Sequence, residues 1–205
     1  MADPVVAEYA RAARRYDEKW AFYVEASTRE TLRRLPMTPA ARVLDVGCGT
    51  GELLRRVRAQ FPDATLAGLD PVPEMLEVAR DKLSGSEDLS LGYADDLPWT
   101  AATFDVVVSC NMFHYISHPA AALREMARVL RPGGALVLTD WCDDYLACRV
   151  CNLYLRLTNR AFYKTYRQAE CLALLKAAAY RVETFERYKI SWLWGLMTAV
   201  ARPST

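Results

Sequence analysis

Val43-Leu44-Asp45-Val46-Gly47-Cys48-Gly49-Thr50-Gly51 is a short apolar run that ends in glycine at every second position. The apolar half reads as a buried strand, and the glycines as a tight turn that leaves no Cβ in a ligand's way. Residues 53–60 read as a helix, so the turn would open onto the unpaired N–H groups of a helix start. The spacing is GxGxG; a dinucleotide fingerprint needs GxGxxG, and its sixth position is Glu52. Asp45, two residues before the first glycine, is unwelcoming to a pyrophosphate and favours an amine.

Outward from this stretch, strands and helices alternate. Upstream, Val6, Tyr9, Ala13, Tyr16, Trp20, Tyr23 and Val24 recur at helical spacing, which predicts a helical region over 5–35 closed by Pro36 and Pro39. Downstream, residues 64–69 form a second buried strand ending at Asp70, and 73–83 a helix. Residues 89–93, 104–110 and 135–139 read as further strands, with a helix over 120–130 stopped by Arg131-Pro132-Gly133-Gly134. This order predicts a mostly parallel sheet covered on both faces. Residues 141–179 break the rhythm; they read as helical and carry Tyr145, Tyr154, Phe162, Tyr163 and Tyr166, as a lid over an acceptor pocket would. The last strands, 181–191 and 195–201, have no room for a crossover helix and should pair antiparallel.

Asp70 stands where a carboxylate at a strand end accepts both hydroxyls of a ribose. An amine and a ribose without a pyrophosphate describe S-adenosyl-L-methionine. At this point residues 43–51 resemble motif I of the class I methyltransferases, and 69–76, Leu-Asp-Pro-Val-Pro-Glu-Met-Leu, their second motif. Gly92-Tyr93-Ala94-Asp95-Asp96-Leu97-Pro98-Trp99 resembles their GDAxxLPF adenine segment. The stretch 104–109, Phe113-His114 and 130–134 complete the series in the family's order. The resemblance covers roughly residues 40–140 and is to small-molecule enzymes of the ubiquinone/menaquinone group.

The resemblance implies a single Rossmann-like, doubly wound α/β domain. Its seven-stranded, mostly parallel sheet would end in the antiparallel hairpin, with the helical lid beside it. Residues 1–39 would be an N-terminal helical cap, 40–140 the cofactor core, 141–179 the lid and 180–205 the closing strands. It also implies site roles. Asp45 with the backbone of Gly47, Cys48, Gly49 and Gly51 would hold the methionine end of the cofactor. Asp70, with Pro71 beside it, would take the ribose, and Val72 and Met75 would pack near the adenine. Ala94 and Asp95 would read the adenine edge, because Tyr93 replaces the family's usual Asp. Ser109 to Asn111 would line the path to the sulfonium, and Tyr16 would close over the cofactor. His114 is the candidate catalytic base, since imidazole suits proton removal near neutrality.

With 205 residues, 52% of them apolar, and a formal net charge of +1, no global field draws the chain to nucleic acid. An N-terminus crowded with Arg11, Arg14, Arg15, Asp17, Glu18 and Lys19 lacks a signal-peptide core, and the apolar stretch 192–200 is too short to span a bilayer. The reading is a cytoplasmic protein without stable membrane insertion, with room for a homo-oligomer through 192–197. Cys148 and Cys151 form a CxxC without a second tight pair, so no metal is expected. The expected partner is a small, apolar or aromatic acceptor methylated on oxygen or carbon. Arg149, Arg156, Arg160, Lys164 and Arg167 read as a solvated face, or as a contact to an acidic group on that acceptor. Alternatives are a non-catalytic cofactor binder, a thiol-dependent arsenic methyltransferase using the cysteines, and a nicotinamide oxidoreductase that the GxGxG spacing disfavours.

Overall fold

The computed structural model describes residues 3–204 except Ser84, Ser86, Asn159, Arg160, Ala161 and Leu193. Seven strands form one sheet: β1 (Arg42–Val46), β2 (Thr65–Asp70), β3 (Asp88–Leu91), β4 (Phe104–Cys110), β5 (Leu130–Trp141), β6 (Tyr180–Lys189) and β7 (Gly195–Pro203). Their order is β3-β2-β1-β4-β5-β7-β6. The first five run parallel, and β7 lies antiparallel to both β5 and β6. The order reverses between β1 and β4, and the crevice beyond the carboxyl ends at such a switch is where open α/β sheets bind ligands.

The helices are α1 (Pro4–Lys19), α2 (Ala21–Leu32), α3 (Glu52–Gln60), α4 (Pro73–Lys82), α5 (Pro119–Val129), α6 (Leu146–Thr158) and α7 (Gln168–Ala177). Proline opens α1, α4 and α5, where its missing N–H costs nothing. On one face of the sheet, Leu123 and Met126 of α5 and Leu175 of α7 pack on Leu136 and Leu138. On the other, Leu54 and Val57 of α3 and Leu76 of α4 pack on Val43, Val106 and Val137. Each such leucine, fully withdrawn from water, stabilises the fold by about 1.5–3 kcal/mol.

Several boundaries differ from the sequence reading. The region 5–35 is two helices, because Trp20 leaves helical geometry at φ −111°, ψ 18°. Its ring meets Tyr23 and Trp194 edge-on, each with centroids 6.4 Å apart. Helix α1 buries only Ala13, whereas α2 buries Tyr23, Ala26, Ser27, Thr28 and Thr31 and belongs to the core. The lid divides likewise. Tyr166, Cys171 and Leu175 are buried in the core, whereas α6 buries only Cys148. Strand β5 starts before the Arg-Pro-Gly-Gly turn: Leu130 pairs with Phe104 and Ala135 with Val106, the turn bulging between them. Of the stretch 192–197, residues 195–197 join the sheet in β7, with Leu196 and Met197 fully buried, whereas Trp192 is exposed and Leu193 lies outside the described residues.

Candidate cofactor and acceptor site

Beyond the carboxyl ends of β1, β2 and β4 lies a cavity of about 480 Å³ lined by Asp45, Gly47, Cys48, Gly49, Asp70 and Asn111, with Tyr9 and Tyr16 of α1 above. The size falls within the ~300–1,000 Å³ of small-molecule sites. The turn after β1 is built on positive φ: Gly47 at 78° and Gly49 at 53°. A Cβ on Gly47 would come within 2.5 Å of the Met112 side chain, whereas one on Gly49 meets nothing within 4 Å. Gly49 therefore leaves open a cradle that any side chain would fill.

The polar atoms of this cradle define its ligand. Asp45 is 2% exposed, and its Oδ1 has no hydrogen-bond partner among the described residues. Burial, and then the nearby charge of Asp70, push its carboxyl up to about 7. Asp70 accepts from the Gly49 N–H at 2.9 Å and the Val72 N–H at 3.0 Å. Burial raises Asp70 to about 6 against the pull of those two bonds. The turn's own donors are already used. Gly47 and Cys48 donate to the Leu69 carbonyl at 2.7 and 2.9 Å, and Gly51 donates to Cys48. A pyrophosphate would meet two carboxylates and few free donors; an ammonium and a ribose would meet the acceptors they need.

Most of the expected site residues converge here. Tyr16, Asp45, Gly47, Cys48, Gly49, Asp70, Pro71, Val72, Met75, Ala94, Asp95 and Asn111 all line the cavity. Two do not. Gly51, at φ 76°, begins α3, and a Cβ there would press on Ala79 at 3.1 Å, so its work is packing α3 against α4. Ser109 is fully buried and lines neither cavity. Strand alternation turns it away from its neighbour Cys110, which does line the cavity together with Asn111. Asp95 stands half-exposed 3.6 Å from His118, and Tyr93 also lines the wall.

A second cavity of about 1040 Å³ adjoins the first and is lined by Tyr23, Asn111, His114, Tyr115, Trp141 and Leu155, among others. His114 is 3% exposed and held twice by Asp140. Its backbone N–H donates to Oδ2 at 2.9 Å, and its Nδ1 lies 2.6 Å from Oδ1. Asp140 Oδ1 is placed to accept a hydrogen bond from an Nδ1–H, which leaves Nε2 as the ring's other nitrogen. Trp141 stacks on the imidazole at 5.4 Å, and Tyr115 lies against it at 4.1 Å. The His114 carbonyl accepts from the N–H groups of Tyr163 and Lys164, tying the lid segment to the same residue. Asn111 is held at φ 59°. It accepts from the Tyr23 hydroxyl at 2.8 Å and donates to Ser27 at 2.6 Å. A strained residue fixed this firmly at the join of two cavities is a mark of a functional site.

Sequence reasoning missed Asp140, Tyr23 and the tether of α1. Asp140 ends the last parallel strand, a position that could have singled it out. In the tether, Lys82 donates to Asp17 at 2.5 Å, and Thr50 donates to Asp17 at 2.6 Å, fastening α1 over the glycine turn. The aromatic series divides: Phe162 and Tyr163 line the first cavity, Tyr166 is core, and Tyr154 is exposed. Arg149 and Arg156 are solvated, Lys164 pairs with Glu170 at 2.6 Å, and Arg160 lies outside the described residues. Cys142, Cys148, Cys151 and Cys171 line neither cavity. Burial raises the thiols of Cys142, Cys148 and Cys171, which disfavours thiolate chemistry. No cluster that could hold a metal occurs among the described residues.

The sheet order and the crevice at its switch point are those of a Rossmann-like fold. Residues 44–138 match the family described as the methyltransferase domain. The 27-O-demethylrifamycin SV methyltransferase of Amycolatopsis mediterranei is 37% identical over 134 residues, covering 62% of this chain and 49% of that protein. The demethylmenaquinone methyltransferase of Deinococcus radiodurans is 38% identical over 104 residues, covering 49% and 43%. The chain thus spans about half the length of the curated relatives it matches. In fold, it is similar to a chain from the Haloferax volcanii complex of the Trm112 methyltransferase activator with a methyltransferase. There the TM-score is 0.84 at 22% identity, over 96% of this chain and 98% of that one.

Proposed function

We infer that the protein transfers a methyl group from S-adenosylmethionine to a small apolar or aromatic acceptor, with His114 taking a proton from the acceptor's oxygen or carbon. The observation that carries this reading is the unpartnered, buried Oδ1 of Asp45 beside Asp70, in a cradle kept open by Gly49. When bound, the cofactor supplies an electrophilic methyl on a sulfonium, so the chain's task is to align, exclude water and manage one proton.

Asp45 would hold the ammonium and Asp70 the ribose hydroxyls. Val72 and Met75 would pack near the adenine, with Ala94 and Asp95 at its edge. Tyr9 and Tyr16, kept protonated by burial, close the cavity from α1. The Tyr9 hydroxyl donates to that of Tyr115 at 2.6 Å, joining the roof to the wall between the two cavities. In the second cavity Asp140 orients His114 so that Nε2 receives the proton, and Trp141 and Tyr115 supply flat apolar walls suited to an aromatic ring. The acceptors named for the two relatives, a demethylrifamycin and a demethylmenaquinone, support a small-molecule acceptor.

The test is transfer of labelled methyl from S-adenosylmethionine to a panel of phenols, hydroxylated polyketides and quinols, in wild type and in His114→Gln. The reading expects label in at least one acceptor and its loss in the variant. Cofactor binding without transfer to any of them would favour a binding protein instead.

A further inference from the structure

Helix α6 holds the core by little. Among its residues only Cys148 is buried, its thiol 3.4 Å from the Gly195 carbonyl, and Leu155 faces the second cavity. On the outward side Leu146, Val150, Leu153, Tyr154 and Leu157 are 63–79% exposed. At 100° per residue these five fall in one stripe roughly 100° wide. Arg149 and Arg156, both exposed, flank one side of it, and the helix contains no acidic residue. Trp192, 84% exposed, stands on the β6–β7 connection that ends at Gly195, against which α6 is seated. Single exposed leucines need no explanation; a continuous stripe does.

The charge decides between occupants. A second copy laid α6 on α6 would bring four arginines together with no carboxylate among them. A single helix of 13 residues also offers less than the ~800 Å² per partner of a stable dimer. The helix is too short to span a bilayer, and no described helix is long and apolar enough to do so. An apolar stripe flanked on one side by arginines, on a helix without acidic residues, matches the interfacial region of an anionic membrane, where apolar side chains enter the headgroup boundary and arginines meet phosphates.

We propose that α6 is an interfacial helix that docks the protein on an anionic lipid surface through Leu146, Val150, Leu153, Tyr154 and Leu157, with Arg149 and Arg156 on the phosphates. Leu155, on the opposite side of the same helix, lines the cavity that holds His114. For its use the proposal rests on the methyltransferase reading: docking here sets the acceptor cavity beside the bilayer, and a lipid-dissolved acceptor would reach it past α6.

The experiment is flotation of the full chain with vesicles of equal parts phosphatidylcholine and phosphatidylglycerol, and with phosphatidylcholine alone. Wild type should float with the mixed vesicles. Partition should fall at least about tenfold for Val150→Glu/Leu157→Glu, and about tenfold for Arg149→Gln/Arg156→Gln or in high salt. Both variants should keep the thermal shift caused by S-adenosylhomocysteine, which reads the fold and the cofactor site separately from lipid binding. Wild type that stays with the buffer, or flotation unchanged in both variants, would overturn the proposal. So would a concentration-dependent dimer, seen by sedimentation, that Val150→Glu/Leu157→Glu abolishes.

Discussion

Replacing Asp45 with Asn should make the protein more stable at pH 8 while removing its response to cofactor. Asp45 is 2% exposed, and its carboxyl is pushed to about 7 from an ordinary 3.8, first by burial and then by Asp70. A folded-state value above the unfolded one means that the folded protein keeps the proton after the unfolded chain has released it. Stability therefore falls as pH rises from about 4 to about 7. A shift of ~3 units amounts to ~4 kcal/mol at pH 8. An incompletely bonded buried amide returns ~1–3 kcal/mol of that. The net expectation for Asp45→Asn is a gain of ~1–3 kcal/mol at pH 8, or roughly 2–10 °C in melting temperature, and a loss of ~1–3 kcal/mol at about pH 4, where the cost of the amide stands alone. Ligand at about a hundred times its Kd should add ~2.7 kcal/mol to wild type and little to the variant. Denaturant titrations at both pH values, with and without S-adenosylhomocysteine, read all four states. A variant that is less stable than wild type at pH 8, or that keeps the full ligand response, would refute the reasoning.

Gly49→Val places a β-branched side chain in the open cradle at φ 53°. It should cost ~1–2 kcal/mol in stability by denaturant melts and weaken cofactor binding more than about tenfold by calorimetry. His114→Gln should leave cofactor affinity unchanged and lower kcat by about 10²–10⁴ for an acceptor that must lose a proton. An equal loss with an acceptor lacking that proton would show a merely structural role. Asp140→Asn weakens the hold on the His114 backbone and ring and should destabilise by ~1–3 kcal/mol in urea. Lys82→Met frees Asp17 and loosens α1 over the glycine turn; the expected result is a several-fold rise in the cofactor Kd, and a wild-type Kd that rises with salt.

The sheet and the turn that lines the first cavity could be read directly because they depend on local signals. Strand β4 matches the expected 104–110 residue for residue, since a run of apolar side chains between polar flanks admits one strand. The turn at Gly47 and Gly49 and the carboxylates of Asp45 and Asp70 follow from spacing alone. What escaped depends on distant contacts. Nothing near Trp20 announces a helix break, and its ring there meets Trp194, far along the chain. Ser109 and Cys110 are adjacent in sequence, and only the pleat decides which one meets the cavity. The His114–Asp140 pair joins the turn after β4 to the end of β5, so His114 was visible as a residue type while its orienting partner was not. The segment 141–179 stood out by its aromatic content, but composition could not separate the core role of Tyr166 from the exposed stripe of α6.

The most direct test of the central claim is calorimetric titration of wild type, Asp45→Asn and Asp70→Ala with S-adenosylmethionine, with NAD as the control ligand. The account predicts one-to-one binding to wild type, loss of most of that heat in each variant, and no response to NAD. Binding that survives both substitutions, or wild type that binds NAD and not S-adenosylmethionine, would contradict it.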